Sequence, residues 1–293
     1  MRDLAAAVVQ LGPDADLIRS LAEASGACEA ALAAGAELVV LPENFWGITS
    51  PEAKAAAAVD LERDLESPLL APFIALSARF ARSLIILGGL PERPSADDPA
   101  AAAGLLYNTL VVLRAGAVVA SYRKIHRFDA TLRDGTHLRE SASTAAGQRP
   151  VVVRTDAAAI GLSICYDLRF PALYRALAEA GAEVIVAPSA FTLHTGMDHW
   201  EVLVRARALD TQCYLLAPAL HGRHGPTRHS FGHSMIVDPW GTVIAQSSPR
   251  SGVVHARLGG SLLAQVREDL PVLRHSVLPG GPPADIVDLR GAT

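Results

Sequence analysis

The chain has 293 residues, half of them hydrophobic and 19% charged, with a formal net charge of −4. That composition supports a large buried core and gives no electrostatic reason to expect nucleic acid or an anionic membrane as a partner. Three widely spaced cysteines, Cys28, Cys165 and Cys213, make neither a disulfide framework nor a metal knuckle. The N-terminus lacks a basic region followed by a long apolar one, so a cytoplasmic protein is expected. Residues 5–10 read as a first strand closed by Gly12-Pro13-Asp14, and leucines and alanines recur at helical spacing over 16–34. Gly35 ends that helix, and 37–41 make a second strand stopped by Pro42-Glu43. A helix fits 67–82, with Pro68 at its start, and 84–87 give a strand running into Gly88-Gly89. Residues 91–104, rich in Pro, Asp, Ala and Ser, are expected to form a mobile surface loop. Strands over 108–113 and 118–122 pair as a hairpin across Arg114-Ala115-Gly116-Ala117.

The second half opens on an apolar run over 157–164, short and nearly free of polar groups, as expected of a strand covered on both faces. Cys165 stands where it ends, and Pro171 begins a helix. A thiol on such a turn is presented at the sheet edge beside free backbone N–H groups, although a lone cysteine is more often a small buried hydrophobe. Beyond Ser189 a loop leads to a helix over 199–212 and a strand over 214–217. A glycine- and histidine-rich loop covers 221–233, and strands over 234–237 and 242–245 flank Asp238-Pro239-Trp240-Gly241. After Leu278 a Pro-Gly-Gly-Pro-Pro run breaks regular structure, and the tail 279–293 either lies disordered or reaches across to a partner subunit. Alternating helices and strands indicate an α/β layered fold. Ala34-Gly35-Ala36-Glu37-Leu38-Val39-Val40-Leu41-Pro42-Glu43 is echoed half a chain later by Ala180-Gly181-Ala182-Glu183-Val184-Ile185-Val186-Ala187-Pro188-Ser189. Two similar halves sharing one core, in a single domain over 1–278, are therefore expected.

Three polar residues stand where apolar strands end: Glu43, Lys124 and Cys165. Strand ends on one edge of a sheet converge on a common crevice even when distant in sequence. A thiol of ordinary pKa is mostly protonated at neutral pH, and a carboxylate can accept its proton on attack. An ammonium supplies fixed positive charge for the thiolate and for the oxyanion of an attacked carbonyl.

Leu41-Pro42-Glu43-Asn44-Phe45, Tyr122-Arg123-Lys124-Ile125-His126 with Phe128-Asp129, and Cys165-Tyr166-Asp167-Leu168-Arg169-Phe170-Pro171 resemble the three signatures of the carbon–nitrogen hydrolase (nitrilase) superfamily. His199-Trp200-Glu201-Val202-Leu203, Arg205-Ala206-Arg207-Ala208, Gln212-Cys213-Tyr214 and the segment 232–241 resemble the Nit subgroup. The resemblance implies a four-layer α-β-β-α sandwich and a homodimer or higher homo-oligomer formed through helices beside the active site. It also implies a Glu-Lys-Cys triad, here Glu43, Lys124 and Cys165, a second glutamate matched by Glu140, and neither metal nor organic cofactor. Two departures stand out. Ala172 occupies a position where many relatives have glutamate, which is expected to alter local packing or the pocket rim, and 127–139 lacks the usual Pro-Gly spacing before Glu140.

The expected chemistry is thiol catalysis on an amide. Glu43 takes the Cys165 proton, the sulfur attacks the carbonyl, and Lys124 with the Tyr166 N–H holds the oxyanion. Ammonia or an amine leaves with a proton from Glu43, and water hydrolyses the thioester. True nitrilases usually carry Trp-Glu after the nucleophile, so Tyr166-Asp167 points to amides. The resemblance implies deaminated glutathione as substrate, with α-ketoglutaramate or an N-carbamoyl amino acid as alternatives. The first two carry a carboxylate beside a ketone, for which Arg169 is the candidate ligand, although a salt bridge with Asp167 or Glu201 is an equal reading. Phe191 and Thr195 are expected to line the pocket. Against this stand a zinc site using His221, His224, His229 and His233, which has no carboxylate base within its loop, papain-like Cys-His catalysis, and a non-catalytic interaction protein on the same fold.

Overall fold

In the computed structural model the residues described are 1–13, 16–131, 137–225, 228–278 and 283–291. Two αβ units set the pattern. Helix Leu17–Ala33 ends where Ala36 N–H reaches back to Ala31 O, and helix Pro171–Glu179 ends where Ala182 N–H reaches back to Leu177 O, with Gly35 and Gly181 at φ +92° and +91°. The strands that follow, Leu38–Val40 and Val184–Val186, are buried on both faces. The echo extends to side chains: Glu37 accepts from the Ala5 N–H and Glu183 from the Ala159 N–H.

Each strand is the centre of a parallel trio. Leu38–Val40 lies between Leu4–Gln10 and Leu84–Glu92, and Val184–Val186 between Ala159–Leu162 and Tyr214–Ala217. Further strands, mostly antiparallel, widen each trio into a seven-stranded sheet. The first adds Gly252–Leu258 on one side, and Leu106–Arg114, Ala117–Arg123 and the short Thr144–Ala145 on the other. The second adds Met235–Val237 and Val243–Gln246 at one edge and Val151–Arg154, followed by Asp285–Asp288, at the other.

Side-chain alternation separates the layers. In the first sheet Val8, Val40, Ile86 and Val112 share one core with Ile160, Leu162 and Val186 of the second. Val9, Val39, Ile85 and Val111 point the other way, onto Leu21, Cys28, Phe73 and Leu76 of helices Leu17–Ala33 and Ala71–Arg79. Helices Pro171–Glu179 and Leu193–Thr211 cover the outer face of the second sheet. The expected α-β-β-α sandwich is therefore the observed fold.

Several boundaries differ from the sequence reading. Segment 67–70 forms turns, and the helix begins at Ala71. Within 91–104 lie the end of strand Leu84–Glu92 and the short helix Pro99–Ala102, and Glu92 and Asp98 both grip Arg123. The 199–212 helix starts earlier, at Leu193. Gly196, which weakens a helical reading of its first turns, is there for contact: a Cβ on it would lie 2.2 Å from Phe231 Cβ. Phe231 belongs to a hairpin, His221–His224 with Arg228–Phe231, where an irregular loop was expected. The expected Pro-Gly-Gly-Pro-Pro break lies outside the described residues except Pro283. Beyond it, Asp285–Asp288 pairs in parallel with Val151–Arg154 of its own chain, where a disordered tail or one reaching to a partner was expected. Among the described residues no helix is long and apolar enough to cross a membrane.

Candidate active site

Glu43, Lys124 and Cys165 follow strands Leu38–Val40, Ala117–Arg123 and Ala159–Leu162, and the fold brings them to one cavity of about 300 Å³. Between the two halves the backbone is held close: a Cβ on Gly88 would stand 2.3 Å from Pro188 Cβ and 2.4 Å from Leu41 O. The adjoining Gly89, at φ +74°, has Asn108 Oδ1 and Glu43 against it, and the strand register shifts at this point. Glycine is thus required where Glu43 and Asn108 enter the site.

Lys124 is 2% exposed, and its Nζ donates to Glu43 Oε1 at 2.8 Å and to Glu140 Oε2 and Oε1 at 2.9 and 3.1 Å. Burial alone would lower its pKa, but Glu140 and Glu43 outweigh that and raise it well above the usual lysine value. Asn108 Nδ2 donates to Glu43 Oε1 at 3.0 Å and to Glu140 Oε1 at 3.1 Å, and the Phe128 N–H donates to Glu140 Oε2 at 2.7 Å. Burial pushes the Glu140 carboxyl up, yet Lys124 and these donors hold its pKa below the ordinary value. Two carboxylates and one ammonium form a network in which a lone buried charge would be prohibitive.

Cys165 opens a 3₁₀ turn, Cys165–Arg169, at φ +47°, a conformation that few non-glycine residues adopt. Its N–H is held by Pro188 O at 2.9 Å. Burial and then the Glu43 charge push the thiol pKa up, while Lys124 and a hydrogen bond from the Ala190 N–H pull it back. Burial and the Glu43 charge thus both favour the protonated form of the thiol. Tyr166, second in the turn, has an amide with no intrahelical acceptor.

Asp167 fixes this turn against the lysine strand. Fully buried, it accepts from the Ile164 N–H at 2.9 Å, Tyr122 Oη at 2.7 Å and the His126 N–H at 3.1 Å, with His126 Nδ1 at 2.7 Å. Tyr122 and His126 flank Lys124, so one carboxylate ties the Cys165 turn to the lysine strand. Its pairing with Arg169, expected as an alternative, does not occur, and Glu201 pairs with Arg205. Arg169 instead meets His199 Nδ1 at 3.2 Å and lies over the Tyr166 and Phe191 rings.

Tyr166, Arg169, Phe191 and Thr195 all line the cavity, as does Glu140. Ala172, expected to affect packing or the rim, is exposed and outside the lining. Not anticipated were Asn108, Lys54 and Arg228, which also line it. Asn108 carried a signal, a β-disfavoured residue in an apolar strand; Lys54, in an alanine-rich stretch, and Arg228, in a charged loop, carried none. The histidines of the alternative zinc reading have separate partners: His224 lies between Pro13 O and Ser230 Oγ, with burial lowering its pKa to about 4, His221 meets Ser251 Oγ, and His233 meets Phe231 O. Among the described residues no group of His, Cys, Asp and Glu could hold a metal ion.

The carbon-nitrogen hydrolase family model matches residues 5–268. A Synechocystis protein named deaminated glutathione amidase is 40% identical over 280 residues, covering 94% of this chain and 99% of that protein. The human protein of that name is 45% identical over 245 residues, covering 82% and 72%. Among solved structures, the C. elegans NitFhit protein superposes with a TM-score of 0.81 at 34% identity, covering 94% of this chain and 66% of that one. Saccharomyces cerevisiae Nit3, of the nitrilase superfamily, superposes with 0.80 at 28% identity, covering 92% and 95%. With its cysteine, lysine and glutamates gathered at one cavity and these matches spanning nearly its whole length, the chain belongs to the carbon–nitrogen hydrolase (nitrilase) superfamily, as a Nit-type amidase hydrolysing carbon–nitrogen bonds other than peptide bonds.

Proposed function

We propose that the chain hydrolyses a small carboxylate-bearing amide through a covalent thioester on Cys165, with deaminated glutathione as the first substrate to test. The observation that carries the reading is the shared ammonium: Lys124 Nζ lies within hydrogen-bonding distance of both Glu43 and Glu140 beside the thiol. Glu43 accepts the Cys165 proton as the sulfur bonds to the carbonyl carbon. The carbonyl oxygen takes the negative charge, stabilised by Lys124 and the Tyr166 N–H. When the C–N bond breaks, Glu43 returns its proton to the leaving nitrogen, which departs as ammonia or an amine. A water then loses a proton to Glu43 and attacks the thioester, releasing the carboxylic acid and restoring the thiol. Glu140 and Asn108 position the lysine and Glu43 through the hydrogen bonds described. Tyr166, Arg169, Phe191 and Thr195 supply the walls that hold the substrate.

The substrate follows from the relatives named deaminated glutathione amidase and from the cavity's cations, Lys54, Arg139, Arg169 and Arg228. Release of ammonia or amine from deaminated glutathione, α-ketoglutaramate and an N-carbamoyl amino acid, compared at equal enzyme, ranks the substrates. Amidase activity retained by purified Cys165→Ala would overturn the mechanism. A homodimer is the smallest assembly we propose, from the same resemblance, and sedimentation at the monomer mass would overturn it.

A further inference from the structure

Lys54 is a cation of the cavity wall to which the chemistry above gives no part. It is carried by the short helix Pro51–Ala56, and its Nζ donates to Thr144 Oγ1 at 2.8 Å. Thr144 belongs to the short strand beside Leu106, directly after the turn Glu140–Ala142, so the ammonium is anchored to the wall that carries Glu140 and Asn108. Among the described residues it has no carboxylate at ion-pair distance, unlike Lys124, which has two. An ammonium has three donors, and a single neutral oxygen satisfies one. Burial lowers the Lys54 pKa, Glu140 opposes this, Lys124 adds to it and Glu43 opposes it. The group is thus a half-buried, under-compensated positive charge lining the space that a substrate must enter.

Two other cations of the wall also keep donors to spare: Arg169 is stacked on two rings and bonded to His199, and Arg228 donates to Ala190 O while its buried Nε has no hydrogen-bond partner. Lys54 lines the same cavity as Glu43, Lys124 and Glu140 and feels all three charges, so an anion bound to it shares that space with Cys165. We propose that Lys54 binds the carboxylate of the amide substrate and makes the enzyme prefer anionic over neutral amides. This rests on the amidase reading above and adds Lys54 to Arg169 as a carboxylate ligand.

The test compares wild type, Lys54→Met and Lys54→Arg on α-ketoglutaramate and on its uncharged methyl ester, with kcat and KM measured separately. A charged hydrogen bond lost from a half-buried site weakens binding about tenfold or more. Lys54→Met therefore raises KM for the anion about tenfold with a much smaller change in kcat, the preference for anion over ester falls by a similar factor, and Lys54→Arg recovers most of it. A second measurement needs no turnover: Lys54→Met in the Cys165→Ala background weakens binding of 2-oxoglutarate, by calorimetry, by about the same factor. Equal losses on anion and ester, or unchanged 2-oxoglutarate affinity, overturn the assignment of Lys54. Wild-type protein that hydrolyses no carboxylate-bearing amide overturns the amidase reading instead, and the binding measurement still decides whether Lys54 holds a carboxylate.

Discussion

Asn108→Asp keeps the size and shape of the side chain and reverses what it does. The amide nitrogen donates at 3.0 and 3.1 Å to one oxygen each of Glu43 and Glu140, so the substitution removes two bonds and places a third carboxylate beside those two. At about 3 Å and an effective dielectric near 20, each new like-charge contact is unfavourable by about 5 kcal/mol. Lys124 cannot offset three carboxylates, and the cluster takes up a proton. That proton occupies, for part of the time, the Glu43 oxygen that accepts the Cys165 proton in the proposed mechanism. With about 3–4 kcal/mol lost at the transition state, kcat/KM at neutral pH falls by about 10²- to 10³-fold. The sign of the pH dependence follows. The extra proton leaves as pH rises, so the acid limb of kcat/KM moves to higher pH and the deficit narrows in base. Ammonia release followed from about pH 5 to 9, with a melting curve to establish that the variant is folded, measures both effects. A folded variant within threefold of wild type, or one with the same deficit at every pH, would refute the reasoning.

The remaining predictions use the same network. A thiol-directed electrophile adds once per chain, at Cys165, which lines the cavity, and intact mass shows no adduct on Cys165→Ala; Cys28 and Cys213 are sealed in the core. The Glu140 carboxyl has a folded pKa below its unfolded value of about 4.3, so its stabilisation is complete above that pH and is lost as pH falls through the folded pKa. Chemical denaturation of Glu140→Gln should therefore show a flatter decline in stability over that acid range than wild type. Asp167→Asn leaves buried donors of Ile164, Tyr122 and His126 short of a charged acceptor; it costs about 3 kcal/mol and lowers Tm by about 5 °C, read by calorimetry.

Legibility in the sequence followed the range of the interaction. Glu43, Lys124 and Cys165 stand out because each interrupts an apolar strand at its end, a signal confined to a few neighbouring residues. The two αβ units were visible because Gly35 and Gly181 punctuate identical local patterns. Asn108 meets Glu43 across 65 residues of chain, and nothing near either residue encodes that contact. Lys54 reads as the polar position of an alanine-rich helix until Thr144, 90 residues on, turns it toward the cavity. Strand Gly252–Leu258 went unread for another reason: it lies at the sheet edge with mostly half-exposed residues, so its pattern resembles a loop. The helix that carries Thr195 begins ahead of its sequence pattern because Gly196 answers to Phe231, a tertiary neighbour, rather than to helix propensity.

The charge balance of the site bears on why a thiol with so high a resting pKa can serve. Around Cys165 the network holds two carboxylates against one ammonium, and burial and Glu43 oppose a further negative charge on the sulfur. In the proposed mechanism the proton moves from sulfur to Glu43, so one negative charge is exchanged for another and the buried total stays constant. Attack then carries that charge from sulfur to the carbonyl oxygen. Before transfer, Lys124 is shared between Glu43 and Glu140; after it, Glu43 is neutral and the ammonium is freed toward the new oxyanion. The ammonium therefore gains a stronger partner in the transition state than it has at rest, which is the condition for catalysis rather than mere binding. Asn108, holding both carboxylates on the lysine, keeps the exchange local.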